Sequence, residues 1–262
     1  MIKNIKNLIR KLPKPIKGTF IWIYDQWNSR FILDKKQVKN LAEYFNLSYK
    51  MAVYFLKASD KLYVDHWNKL NAKEEKDRIN FYKTTPYNIF TLTFWHMYRS
   101  QKKFRKEVVK HSFGDVLDYG GGIGDVSIKL AKKGLNVTYA DLAGQNMKFA
   151  KWLFEKGSYS NITVYDVEQN QEKIWSKKYD TIVCLEVIQH VLHPEALIEK
   201  MIKHLHKNGK LIITRLDCTG NLVGRPMQLK IDFDAEKLLN SFGMFKSNQY
   251  DWLWVKKMDG YL

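Results

Sequence analysis

The chain has 262 residues, enough for one large domain or a core domain with an added lobe, and its 45% hydrophobic content is ordinary for a globular protein. The net charge is +17, and residues 1–112 hold 24 Lys/Arg against 9 Asp/Glu, so the basic character sits in the first part and suits an anionic partner. Two cysteines, Cys184 and Cys218, exclude a disulfide framework; with Cys184 inside an apolar run, the expectation is a reduced, cytoplasmic protein.

Residues 1–17, MIKNIKNLIRKLPKPIK, lack the unbroken apolar core of a secretory signal. Ile2, Ile5, Leu8, Ile9 and Leu12 fall at helical spacing, opposite Lys3, Lys6, Arg10 and Lys11. Such a helix can lie on an anionic membrane surface or pack on the protein body. The apolar stretch Phe20 to Tyr24 is too short to cross a bilayer, so a peripheral contact is the most that is expected.

Residues 38–59 carry Leu41, Ala42, Leu47, Ser48 and Val53 in a rhythm that resembles a helix-turn-helix. The pattern is degenerate, and Tyr44, Phe45, Tyr49, Tyr54 and Phe55 are many aromatics for a DNA-reading pair. A dimerisation or lid role is preferred, with the oligomeric state left open. Residues 80–100 are dense in aromatics: Phe81, Tyr82, Tyr87, Phe90, Trp95, His96 and Tyr98.

After residue 113, short apolar runs alternate with amphipathic segments, which predicts a parallel sheet flanked by helices. Strands are expected at residues 115–119, 136–142, 162–167, 179–187 and 210–216. Helices are expected through Lys133, through about Lys156, and from about Pro194 to His206, the last stopped by Asn208-Gly209. Asp234 N-caps another helix, and residues 245–257 supply a closing hairpin. The fold class is therefore α/β: a doubly wound, mostly parallel, seven-stranded-type Rossmann-like sheet with a helical N-terminal lobe. The division falls at 1–112 and 113–262.

Residues 116–131, VLDYGGGIGDVSIKLA, place four glycines between the first strand and its helix. A dinucleotide loop needs G-x-G-x-x-G, but counting from Gly120 the third position is Asp125, and counting from Gly122 it is Ser127. A P-loop needs Gly-Lys-Ser/Thr, which is absent from this loop. The spacing that fits is D-x-G-x-G-x-G: Asp118, Gly120, Gly122 and Gly124.

This loop, with Asp141 ending the second strand, Asp166-Val167 ending the third and the segment from Tyr179 to Val191, resembles the class I S-adenosylmethionine-dependent methyltransferases over roughly residues 113–215. The resemblance implies a cofactor site of Asp118, Gly120, Gly121, Gly122, Gly124, Asp141, Leu142, Asp166, Val167 and Leu185. Asp141 would accept the ribose hydroxyls, and Asp166-Val167 would meet the adenine. The reaction implied is in-line methyl transfer to an O, N or C atom of a small-molecule acceptor. In this family the region ahead of the glycine loop commonly covers the cofactor and shapes the acceptor pocket. Aromatic side chains suit a sulfonium; Tyr82, Tyr87 and His96 are the first to test, with Tyr87 a candidate catalytic group.

Residues 186–195, EVIQHVLHPE, resemble the E-x-x-E-H stretch of quinone-biosynthesis O-methyltransferases and small-RNA 2′-O-methyltransferases. There, two carboxylates and a histidine hold a divalent cation. Here Gln189 replaces the second glutamate, and a neutral amide is a poorer ligand for a hard cation. No metal is therefore assigned, with Glu186, Gln189 and His190 as the lesser, divalent-cation reading. His190 and Glu186 are the candidate catalytic groups, His190 as general base or as a packing residue beside the acceptor. Arg215 is expected at the site's border. The rival readings are a methyltransferase acting on RNA or another macromolecule, and a non-catalytic, cofactor-binding regulator.

Overall fold

The structure is a computed structural model and describes residues 33–71, 74–218 and 226–256. The amphipathic segment 1–17 lies outside the described residues. Among those described, helices α1 (Lys35–Tyr44), α2 (Tyr49–Leu70), α3 (Glu75–Thr84), α4 (Tyr87–His96) and α5 (Arg99–His111) precede the sheet. Strand β1 (Asp115–Tyr119) follows, then α6 (Asp125–Lys132), β2 (Asn136–Asp141), α7 (Gln145–Lys156) and β3 (Ile162–Asp166). A short helix α8 (Gln171–Ile174) leads to β4 (Tyr179–Cys184), a 3-10 turn (Ile188–His190), α9 (Pro194–Lys203) and β5 (Leu205–Ile213). Helix α10 (Ala235–Ser241) and strands β6 (Met244–Lys246) and β7 (Leu253–Lys256) close the described fold.

The sheet has seven strands in the order β3-β2-β1-β4-β5-β7-β6. Strands β1 to β5 are parallel, and β7 pairs antiparallel with both β5 and β6. The inner strands read as apolar runs because helices cover both faces: Val116, Leu117, Ile182, Val183, Leu211 and Ile212 are fully buried. Order reverses between β1 and β4, which opens a crevice at their carboxyl ends, the usual ligand position in such sheets.

The expected strands, the Asp234 cap and the closing hairpin are all present; the Asp234 side chain accepts a hydrogen bond from the Lys237 amide. Some boundaries differ: β4 ends at Cys184 rather than 187, and β5 spans Leu205–Ile213 rather than 210–216. The helix expected to reach His206 ends at Lys203, and β5 begins at Leu205, so Asn208-Gly209 lies within that strand. Asn208 adopts the left-handed φ of 62°, and the β4–β5 register shifts between Tyr179 and Thr181. The turn dipeptide thus makes a bulge in a strand rather than a helix stop.

The residues that resemble a helix-turn-helix form the α1–α2 hairpin, with Ser48 capping α2 through the Met51 amide. Val38, Leu41, Ala52 and Leu56 bury against Ile89 and Phe90 of α4 and Phe149 of α7. Its apolar face is therefore spent on the rest of the protein. Lys133 fixes the entry to the sheet by donating to the carbonyls of Val109, Lys110 and Ser112 at the end of α5.

Candidate functional site

Helices α2 to α5 and the carboxyl ends of β1, β2, β3 and β4 enclose one cavity of about 1020 Å³. The β1–α6 loop forms its floor, with Gly120, Gly121 and Gly122 on the cavity wall. Gly120 and Gly122 have φ values of 69° and 55°, which glycine adopts without strain. The Asp141 carboxylate closes this end, accepting from the Gly122 amide at 2.6 Å and the Leu142 amide at 2.7 Å. Burial pushes its pKa up to about 6, against the pull of these bonds. Asp118 is buried at the end of β1 and accepts from the Ser127 hydroxyl at 2.6 Å; burial raises its pKa to about 7.

Of the expected cofactor residues, Asp118, Gly120, Gly121, Gly122, Asp141, Leu142, Val167 and Leu185 line the cavity. Gly124 and Asp166 do not. Gly124 caps α6 at a φ of 73°, and a Cβ there would lie 2.6 Å from the Phe154 ring, so its role is close packing of the loop on α7. The Asp166 carboxylate turns into its own loop and accepts from the Glu168 amide at 3.0 Å, while the Asp166 amide donates to Asn170 Oδ1. Val167 and Glu168 carry that strand end to the cavity instead.

Glu186, Gln189 and His190 also line the cavity, and their segment runs beside the glycine loop, where a Cβ on Gly120 would lie 2.2 Å from Val187 Cγ2. Glu186 has a φ of 59° and Arg215 a φ of 66°, left-handed values that cost non-glycine residues energy. The two are paired: Arg215 Nε lies 3.6 Å from Glu186 Oε2. Thr214 Oγ1 accepts from the Glu186 amide at 2.8 Å. Burial raises the Glu186 pKa, opposed by Arg215 and Arg105. The Gln189 amide nitrogen donates to Glu186 Oε2 at 3.3 Å. Among the described residues, no group of three His, Cys, Asp or Glu side chains is placed to hold a metal ion. His190 Nδ1 lies 2.7 Å from the Tyr82 hydroxyl of α3.

Tyr87 is placed elsewhere. It starts α4 and packs edge-on to the His66 ring, 5.9 Å between centroids, in the cluster around Tyr63, Trp67 and Phe81. It does not line the cavity and is not brought to the other candidate catalytic groups. Tyr82 and His96 do line it.

Sequence reasoning missed a buried ionic group on the cavity wall, formed by Asp125, His96 and Arg105. Asp125, the first residue of α6, lies 3.1 Å from His96 Nδ1, 3.3 Å from Arg105 Nε and 2.8 Å from Lys129 Nζ. Arg105 also donates to Gln101 Oε1 at 2.6 Å, contacts His96 Nε2, and lies over the Trp95 ring. Burial and Arg105 lower the His96 pKa to about 4, which keeps this imidazole neutral at physiological pH. The same cations, with His96, hold Asp125 well below the usual carboxylate range despite burial. The only local signal was an acid one residue after the last loop glycine, a favourable position at a helix N-terminus.

Fold and cavity together define a Rossmann-like protein with its main cavity at the sheet's switch point. The profile of the methyltransferase domain family matches residues 94–251, more than half of the chain, and the chain belongs to that family. It is similar to the ubiquinone biosynthesis O-methyltransferase of Rickettsia conorii, 28% identical over 174 residues that cover 63% of this chain and 58% of that protein. The Rickettsia akari protein of the same name is 32% identical over 106 residues, 40% of this chain and 41% of that one. The chain therefore spans only about half the length of these curated relatives. Among solved structures, a putative methyltransferase from Bacillus halodurans aligns with a TM-score of 0.48 at 17% identity, over 57% of this chain and 71% of that one.

Proposed function

We propose that this chain transfers a methyl group from S-adenosylmethionine to a small-molecule acceptor at an O, N or C atom. The observation that carries this reading is one cavity of about 1020 Å³ whose wall holds bare glycine backbone and Asp141 together with Tyr82, His190 and Glu186. Pockets for one drug-sized ligand run from roughly 300 to 1,000 Å³, so this one has room for donor and acceptor together.

The residues present suit this cofactor. In this reading Gly120 to Gly122 offer close backbone approach to the methionine end, Asp118 favours a cationic amino group or sulfonium, and Asp141 accepts from the ribose hydroxyls; all of them line the cavity. Val167 and Leu142 provide apolar walls for a flat base. When bound, S-adenosylmethionine supplies an electrophilic methyl group carried on a sulfonium. The chain's own task is to align the acceptor, exclude water and take up a proton where the acceptor loses one. Alignment alone is worth up to roughly 7–11 kcal/mol in favourable systems. His190, on the cavity wall, is the proton acceptor in this reading; Glu186, already committed to Arg215, holds the wall beside it in shape.

In this reading the helices before residue 113 are the lid and acceptor lobe, and the protein works in the cytoplasm. Among the described residues no helix is long and apolar enough to cross a membrane. The test is a methyl-transfer screen with labelled S-adenosylmethionine against metabolite extract and total RNA in parallel. Label in a small molecule supports the reading. Label in RNA alone replaces it with the macromolecular one, and label in neither removes the enzymatic claim.

A further inference from the structure

Helix α3 contributes Arg78 and Tyr82 to the cavity wall. Arg78 donates from Nη2 to the Met227 carbonyl at 2.6 Å, reaching the segment that follows β5. Tyr82 is four residues on, on the same helix face, and meets His190 on the turn after β4. Lys83 pairs with Glu168 in the loop after β3. At the α3 terminus, Gly144 of the β2–α7 turn lies against the Lys83 backbone so closely that a Cβ there would overlap Lys83 Cα. One helix of ten residues thus touches four separate loops, three of which follow the sheet strands that build the site.

We infer that Tyr82 is the positioning residue for His190, and that the roof formed by α3 sets the orientation of this imidazole. The inference rests on the reading of His190 as the proton acceptor. The hydrogen bond joins residues 108 apart in sequence, so it exists only while α3 lies across the cavity. In the neutral ring Nδ1 carries the proton and donates it to the Tyr82 oxygen, so this bond selects one tautomer. Burial pushes the Tyr82 pKa well above its usual value, so the hydroxyl remains a neutral partner throughout the working pH range. When the acceptor's proton moves to Nε2, its bond to the acceptor atom breaks onto that atom and the ring becomes an imidazolium. The Nδ1–H then donates to the Tyr82 oxygen, which holds the new charge in a hydrogen bond and fixes the ring plane. The second partner of a catalytic histidine commonly sets which nitrogen faces the reaction.

The test uses the full chain labelled with ¹⁵N in its histidine rings, read by long-range ¹H–¹⁵N spectra with and without S-adenosylhomocysteine. His190 is assigned from its loss in His190→Gln. In the wild type the His190 nitrogens should show one dominant tautomer, sharpened further by the ligand. In Tyr82→Phe, which keeps the ring and its packing, they should move toward the tautomer average. Gly144→Ala displaces the end of α3 without touching either ring and should shift His190 in the same direction. A wild-type ring already averaged, a Tyr82→Phe spectrum unchanged at His190, or a silent Gly144→Ala would each overturn the inference. Failure to bind S-adenosylhomocysteine in calorimetry would instead overturn the functional reading, and the two failures are read from different signals.

Discussion

Asp141 Oδ2 accepts the Gly122 amide hydrogen at 2.6 Å, tying the end of β2 to the middle of the glycine loop. The same carboxylate takes the Leu142 amide at 2.7 Å, so one side chain orders the loop and faces the cavity. Replacing Asp141 with Asn should weaken S-adenosylmethionine binding about 10- to 100-fold, the scale of hydrogen bonds to a charged group. Calorimetric titration of both proteins checks this, and an unchanged affinity would remove Asp141 from the site.

Binding should also depend on pH in a defined direction. Burial raises the pKa of Asp118 to about 7 and of Asp141 to about 6 in the free protein. Their folded values exceed the unfolded ones, so their contribution to stability is present below about pH 4 and is lost as pH rises through 6 to 7. A cationic ligand favours the ionised carboxyls, releases protons on binding, and recovers that loss. Affinity for S-adenosylmethionine should therefore rise from pH 5.5 to 7.5. Calorimetry in buffers of different ionisation enthalpy should report net proton release at pH 6.

The Asp125 group is a structural commitment of the site. Asp125→Ala would leave the buried Arg105 guanidinium without its carboxylate, and breaking such a pair costs about 3–5 kcal/mol. Urea unfolding should show that loss as a lower midpoint. A loss under about 1 kcal/mol would mean that solvent reaches Arg105.

Gly124→Ala should destabilise by about 1–3 kcal/mol, because it places a Cβ at a φ of 73° and against Phe154. Gly134→Ala is the control: its φ is 85° but a Cβ there meets nothing within 4 Å, so it carries the backbone term alone. Thermal unfolding of the pair separates strain from overlap.

The glycine-loop side of the cavity was legible because its parts lie at strand ends, where periodicity and glycine spacing mark positions in the chain. Asp118, Gly120 to Gly122, Asp141 and Val167 are the positions the family resemblance implies at those strand ends, and they line the cavity. Asp166 has the right strand position, but its carboxylate bonds its own loop, a choice made by Asn170 and Glu168 nearby. The aromatic stretch before residue 100 gave no such rule. Tyr82 and Tyr87 are five residues apart on successive helices, and only packing decides that Tyr82 reaches His190 while Tyr87 meets His66. The Asp125 group was hidden for the same reason: His96, Arg105 and Asp125 come from three different helices, and no spacing rule joins them.

The central claim is that this cavity takes S-adenosylmethionine, and calorimetric titration of the full chain with it, beside NAD as competitor, tests that claim most directly. One site per chain, with binding unaffected by NAD and weakened in Asp141→Asn, is the predicted result. Binding of NAD in place of S-adenosylmethionine, or no heat from S-adenosylmethionine with the folded protein, would contradict it.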